Sequence, residues 1–85
     1  MTAQTQLVST KDVESIIAQI DDGTRLLRLR EVIEIVGFKH SHIYGLIKEN
    51  KFPKPIKLGP KSSVWLSTQI TAWKKEAIRE ALLQN

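Results

Sequence analysis

Apolar residues recur along this chain in several distinct rhythms, and each rhythm predicts an element. Between Thr10 and Ile20 they are Val13, Ile16, Ile17 and Ile20. That i, i+3, i+4, i+7 spacing lays all four on one helical stripe. Ser9 or Thr10 suits the cap, Asp12 and Glu14 suit the positive helix end, and Gly23 follows the last turn. The stripe is narrow and aliphatic, so it must pack on the body or on another copy of itself. Residues 1–8 lack any such pattern and read as a frayed lead.

From Arg25 to Leu29 the chain reads as an extended lead-in, followed by a short helix over about Arg30 to Val36. Leu29, Val32, Ile33 and Val36 share its inner face, and Gly37 stands where a helix end favours a left-handed residue. A second helix is expected over about His40 to Asn50, with Ile43, Leu46 and Ile47 inward. Two short helices separated by a few residues including a glycine read as a helix-turn-helix, or equally as an ordinary αα-hairpin.

The segment Lys51-Phe52-Pro53-Lys54-Pro55 cannot prolong that helix, because each proline lacks a donor and restricts the residue before it. Ile56-Lys57-Leu58 alternates as a strand does, Gly59-Pro60-Lys61-Ser62 supplies the turn, and Ser63-Val64-Trp65-Leu66 returns. A two-stranded ribbon results, with a lysine near its tip. Ser67 is the expected cap of a last helix, about Thr68 to Leu83, with a stripe of Ile70, Trp73, Ala77 and Leu82 and with Ile78 and Ala81 close by. The order is mainly α with a small β-hairpin: an extra amphipathic helix, then a winged helix-turn-helix. The expected division is 1–24 for the tail and first helix and 25–85 for the winged domain.

Composition narrows the function. The 85 residues hold 13 Lys and Arg against 9 Asp and Glu, a formal +4, with 41% apolar residues and no cysteine. A disulfide framework and a thiolate zinc site are excluded, and one domain is expected. No run approaches the roughly 18 apolar residues of a membrane span, and the first ten residues lack a signal-peptide layout, so a cytoplasmic protein is expected. The charge is uneven. Residues 1–24 carry Lys11 against Asp12, Glu14, Asp21 and Asp22, or −3; residues 25–61 sum to +6; residues 62–85 sum to +1. A cationic middle attracts phosphate backbones or acidic surfaces.

The residues Arg25-Leu26-Leu27-Arg28-Leu29-Arg30-Glu31-Val32, then Ile43-Tyr44, Leu46-Ile47-Lys48, Phe52-Pro53-Lys54-Pro55, Lys57-Leu58-Gly59, Trp65 and Ala72-Trp73 carry a resemblance. From about Thr24 to Leu82 the chain resembles the AlpA-type phage regulators, short winged-helix proteins related to the excisionase and MerR DNA-binding domains. The resemblance implies a sequence-specific DNA binder of a prophage or genomic island, acting as an excisionase (a recombination directionality factor), as a transcriptional regulator of excision genes, or as both. Three positions depart from the family pattern. Lys39 stands where a capping Ser is usual, so Ser41 or a backbone group must cap the second helix. Gly45 replaces an Arg common in the family, and Lys61 and Val64 stand where wings often carry Arg.

On that reading Lys39, His40, Ser41 and His42 form the first turn of a recognition helix, which points side chains at base edges and free backbone donors at phosphate. Tyr44 matches the family and can donate to phosphate or pack in the core, while Lys48 and Lys51 suit the DNA backbone. Arg28 and Arg30 flank the first helix and suit a phosphate clamp, although Arg30 can also pair with Glu34 at i, i+4. Lys57, Lys61, Ser62 and Ser63 form the wing, suited to the minor groove. Trp65 and Trp73 read as core. His40 and His42 diverge at i, i+2 with no completing ligand, so no metal and no cofactor are expected. No nucleophile–base pair, phosphate loop or carboxylate cluster supports an enzyme. The expected partners are double-stranded DNA, an integrase beside it, and a second copy through Val13, Ile16, Ile17 and Ile20. The competing class is an interaction module that docks on an integrase or another regulator without binding DNA itself.

Overall fold

A computed structural model of the chain describes residues 10–84. The expected lead at residues 1–8, and Ser9 as a cap, lie outside the described residues. Seven elements follow: α1 (Thr10–Ala18), β1 (Leu26–Leu27), α2 (Leu29–Val36), α3 (His40–Lys48), β2 (Ile56–Gly59), β3 (Ser62–Leu66) and α4 (Ser67–Gln84).

The helix-turn-helix is built by local chemistry. α2 begins one residue earlier than expected, at Leu29, where the Glu31 carboxylate accepts the Arg28 backbone N–H at 3.0 Å. This is half of a reciprocal capping box, since the arginine side chain has no acceptor to return. Gly37 ends α2 at φ 78°, as its place in the sequence predicts, and its N–H reaches the Ile33 carbonyl at 2.9 Å. α3 stops two residues short of the expected Asn50. Asn50 itself turns left-handed at φ 62°. Its N–H bonds the Ile47 carbonyl at 3.0 Å and the Lys51 N–H bonds the Leu46 carbonyl at 2.8 Å, which is a Schellman termination.

The ribbon is a three-stranded antiparallel sheet in the order β1-β3-β2. Leu26 pairs with Leu66 and Leu27 with Trp65, so part of the expected lead-in is a strand. Two residues are too few for alternation to reveal it. In the hairpin Lys57 faces Ser63 and Gly59 faces Ser62, leaving Leu58 as the extra residue of a bulge. β3 passes directly into α4. The Ser67 hydroxyl, the expected cap, instead accepts the Arg25 N–H at 2.8 Å, while the Ser67 N–H returns to the Arg25 carbonyl at 2.9 Å. This two-way bond ties the start of β1 to the start of α4.

The core gathers around Trp65, with Leu27, Val32, Ile43, Phe52 and Ile70 buried about it. The inner faces of α2 and α3 close on this cluster through Leu29, Ile33, Val36, Leu46 and Ile47. Trp73 packs at its edge and makes an edge contact with Phe52 at 4.8 Å between centroids. At the periphery α1 has no fully buried residue, and its aliphatic stripe is left 38–53% exposed. α4 leaves the core after Ala77, and Ile78 and Leu82 are 58% and 68% exposed, because the last turns run past everything they could pack on.

Candidate nucleic-acid interface

Three stretches distant in sequence meet in one open groove of about 590 Å³. It is lined by Arg28, Leu29, Arg30 and Glu31 from the start of α2, Tyr44 from α3, and Lys61 and Ser63 from the wing. The fold produces this meeting because β3 pairs with the residues just before α2 on one side and with the wing strand on the other. Arg28, Arg30 and Lys61 make the groove cationic. Its one carboxylate, Glu31, is engaged by the Arg25 guanidinium at 2.7 Å and by the Arg28 N–H. The cation paired with Glu31 is therefore Arg25, while Arg30 lines the groove and forms no ion pair with Glu34 among the described residues. Helix α2 also directs its first, uncapped amides toward this end, where an anion is favoured.

Helix α3 borders the groove. Ile43 is fully buried, and Leu46 and Ile47 pack beside it, so the opposite face presents Ser41, Gly45 and Lys48 at i, i+4, i+7, all exposed. His40 and Tyr44 stand on the wing side of that face with ring centroids 5.1 Å apart. Tyr44 is 37% exposed and its ring edge meets Trp65 at 6.5 Å, so it combines packing with an accessible rim on the groove. His42 stands on the other side, its ring stacked on Phe38 at 4.1 Å and 19°. Phe38 in turn meets Trp73 edge-on at 6.0 Å. Lys39 occupies the cap position of α3 without a side-chain capping bond, and no bond from Ser41 replaces it, so backbone donors remain at that helix start.

The residues singled out in the sequence thus divide. Arg28, Arg30, Tyr44, Lys61 and Ser63 converge on the groove. Lys39, His40, Ser41, His42 and Lys48 are exposed on α3 next to it. Lys57 is exposed on β2 and Ser62 is half-buried on β3, neither lining the groove. Lys51 lies apart, its ammonium 3.6 Å from the Glu49 carboxylate. Leu29 and Glu31 were not expected at the site. An acid at the third position of a helix was the available signal for Glu31. Trp65 and Trp73 serve packing, as expected, and their indole N–H groups bond the carbonyls of Pro53 and Lys51. Among the described residues no helix is long and apolar enough to cross a membrane.

The family model of the prophage CP4-57 regulatory protein (AlpA) matches residues 25–78. The chain is also 43% identical over 49 residues to the uncharacterized protein ORF88 of Enterobacteria phage P4. That alignment covers 58% of this chain and 56% of ORF88, so the chain spans little more than half the length of that relative. No solved structure matches.

Proposed function

The chain belongs to the AlpA family of phage regulatory proteins, and from that premise we propose that it is a sequence-specific DNA-binding regulator of a prophage or genomic island. Residues 25–85 act as the DNA-binding unit. α3 enters the major groove with Lys39, His40, Ser41 and His42 at its leading turn, and Lys48 holds backbone further along. The wing, through Lys57, Lys61, Ser62 and Ser63, rests on the neighbouring minor groove. Arg28, Arg30 and Tyr44 seat the phosphate that lies between them, and Lys51 adds long-range attraction only. The protein works in the cytoplasm on the nucleoid, as an excisionase beside an integrase or as a transcriptional regulator of excision genes, and it has no catalytic role.

The observation that carries this reading is the convergence of Arg28, Arg30, Tyr44, Lys61 and Ser63 on one cationic groove flanking the exposed face of α3. Phosphate contacts fix register while base contacts give sequence preference, and the arrangement supplies both kinds of group side by side. One such module has a small footprint, so a second copy, recruited through Val13, Ile16, Ile17 and Ile20, would add affinity.

Selection of duplexes from a random pool tests the proposal. An enriched sequence is expected, and the Lys39→Ala, His40→Ala, His42→Ala triple variant should lose preference for it over random duplex in a gel-shift titration. Retained preference would remove α3 as the reading helix. Binding to an integrase with no duplex binding at moderate salt would replace the whole reading by the interaction-module alternative. Excision reconstituted with purified integrase separates the excisionase role from the transcriptional one.

A further inference from the structure

Two apolar helix faces are left open at opposite ends of the chain. Helix α1 stops at Ala18, short of the expected Ile20; Val13, Ile16 and Ile17 on it, and Ile20 two residues past its end, are 38–53% exposed. On the last turns of α4, Ile78 and Leu82 form a stripe at i, i+4, with Leu83 beside it, all well exposed. The faces carry opposite charge at their edges. On α1, Glu14 lies three residues before Ile17 and Asp12 four before Ile16, and Asp21 and Asp22 follow Ile20. On α4, Lys74 and Lys75 lie four and three residues before Ile78, on either edge of the stripe, while Arg79 is already paired with Glu76 at 2.9 Å. The acids of α4, Glu76 and Glu80, fall on the side that borders the groove with Asn50 to Pro53, away from this stripe.

We propose that α1 of one copy docks on the α4 stripe of a second copy, and that the exchange is reciprocal in a two-fold dimer. The proposal rests on the reading of α1 as a self-association helix and adds the surface that receives it. Aliphatic stripe meets aliphatic stripe, and the acidic edges of α1 face the basic edges of α4, which fixes α4 rather than a second α1 as the partner: two α1 faces would oppose acid to acid. Size argues for reciprocity. Each aliphatic side chain offers on the order of 100 Å², so a single α1–α4 contact falls short of the roughly 1,200 Å² of a stable interface, while a two-fold pair repeats it and reaches that range. Such a dimer presents two copies of α3 related by a two-fold axis.

The chain has no cysteine, so introduced thiols report unambiguously. Ile17→Cys and Leu82→Cys are placed in separate chains, mixed and oxidised, with sedimentation of the cysteine-free protein run in parallel. A dimer by sedimentation and a disulfide between the two variants are expected, with Ile17→Asp lowering the dimer fraction at least tenfold. A protein that sediments as a monomer at high concentration, with the Ile17→Cys, Leu82→Cys double variant closing its disulfide within one chain, would overturn the proposal in favour of intramolecular packing. A dimer that crosslinks through Ile17→Cys alone would leave α1 self-association standing and remove α4 as its receptor. Duplex binding measured on Ile17→Asp keeps the DNA reading separate: its loss of dimer with retained weak binding is the outcome expected when both readings are correct.

Discussion

Trp65 is fully buried, yet its indole N–H donates to the carbonyl of Pro53 at 2.8 Å. Trp73 does the same to Lys51, also at 2.8 Å. The segment that carries the chain from α3 to β2 is therefore held at Lys51 and Pro53 by two indoles, with the buried Phe52 between them. A proline-rich connector has few donors of its own, and these bonds give its carbonyls partners that no ladder supplies.

Trp65→Phe should keep most of the packing and strand the Pro53 carbonyl. An unsatisfied, partly buried acceptor costs about 1–3 kcal/mol, before the loss of packed atoms is added. Trp73→Phe removes a more exposed bond, which water replaces in part, so its cost should be nearer 0.5–1.5 kcal/mol. Urea unfolding midpoints measure both. Equal losses in the two variants would show that burial does not govern the value of these bonds.

Gly37 and Asn50 end the two helices of the helix-turn-helix in left-handed conformations. A Cβ at Gly37 would meet nothing within 4 Å, so the penalty for Gly37→Ala is conformational alone, about 1–2 kcal/mol. Asn50→Gly should be neutral or mildly stabilising, because glycine favours that position more than asparagine does. Thermal unfolding of the two variants gives opposite or unequal shifts if the caps act this way; an unshifted Gly37→Ala would refute the account.

Local chemistry was the legible part of this chain. Gly37, the proline connector and the apolar spacing of α2 and α3 announce themselves through residue type and period. β1 did not, because Leu26 and Leu27 become a strand only by pairing with Leu66 and Trp65, some forty positions away. Ser67 misled for a related reason: its hydroxyl is a sound cap by type, but the chain returns Arg25 to it and takes the bond. At the groove, Arg28, Arg30, Tyr44 and Lys61 were each recognisable as DNA-contacting candidates, while their meeting, and the engagement of Glu31 by Arg25, required the sheet. Leu82 fits the helical stripe of α4 by period, yet period does not say where the core ends.

If Arg28, Arg30 and Lys61 neutralise phosphate, replacing each with Ala should weaken binding to selected and random duplexes alike. Each substitution should also reduce the dependence of log affinity on log salt by about one. Lys51→Ala, at a lysine already beside Glu49 and outside the groove, should change that slope by much less. Fluorescence anisotropy titrations across a salt series measure both quantities. An equal effect of Lys51→Ala would mean that net charge, not the groove, attracts the duplex.

Gly45 occupies the middle of α3 on its exposed face, between Ser41 and Lys48, and a Cβ there meets nothing within 4 Å. A glycine inside a helix costs roughly 0.5–1 kcal/mol relative to alanine, so Gly45→Ala should raise stability by about that amount. No feature of the isolated fold requires the glycine. If the face only approaches DNA at side-chain distance, Gly45→Ala leaves the affinity unchanged, and Gly45→Arg adds a phosphate contact, steepening the salt dependence by about one and strengthening binding to any duplex. If instead the α3 backbone lies against the bases, both variants gain stability and lose binding. Unfolding and anisotropy titrations on the same two proteins separate these cases. The first outcome is expected, because Ser41 and Lys48 flank Gly45 on that exposed face and their side chains extend beyond its backbone.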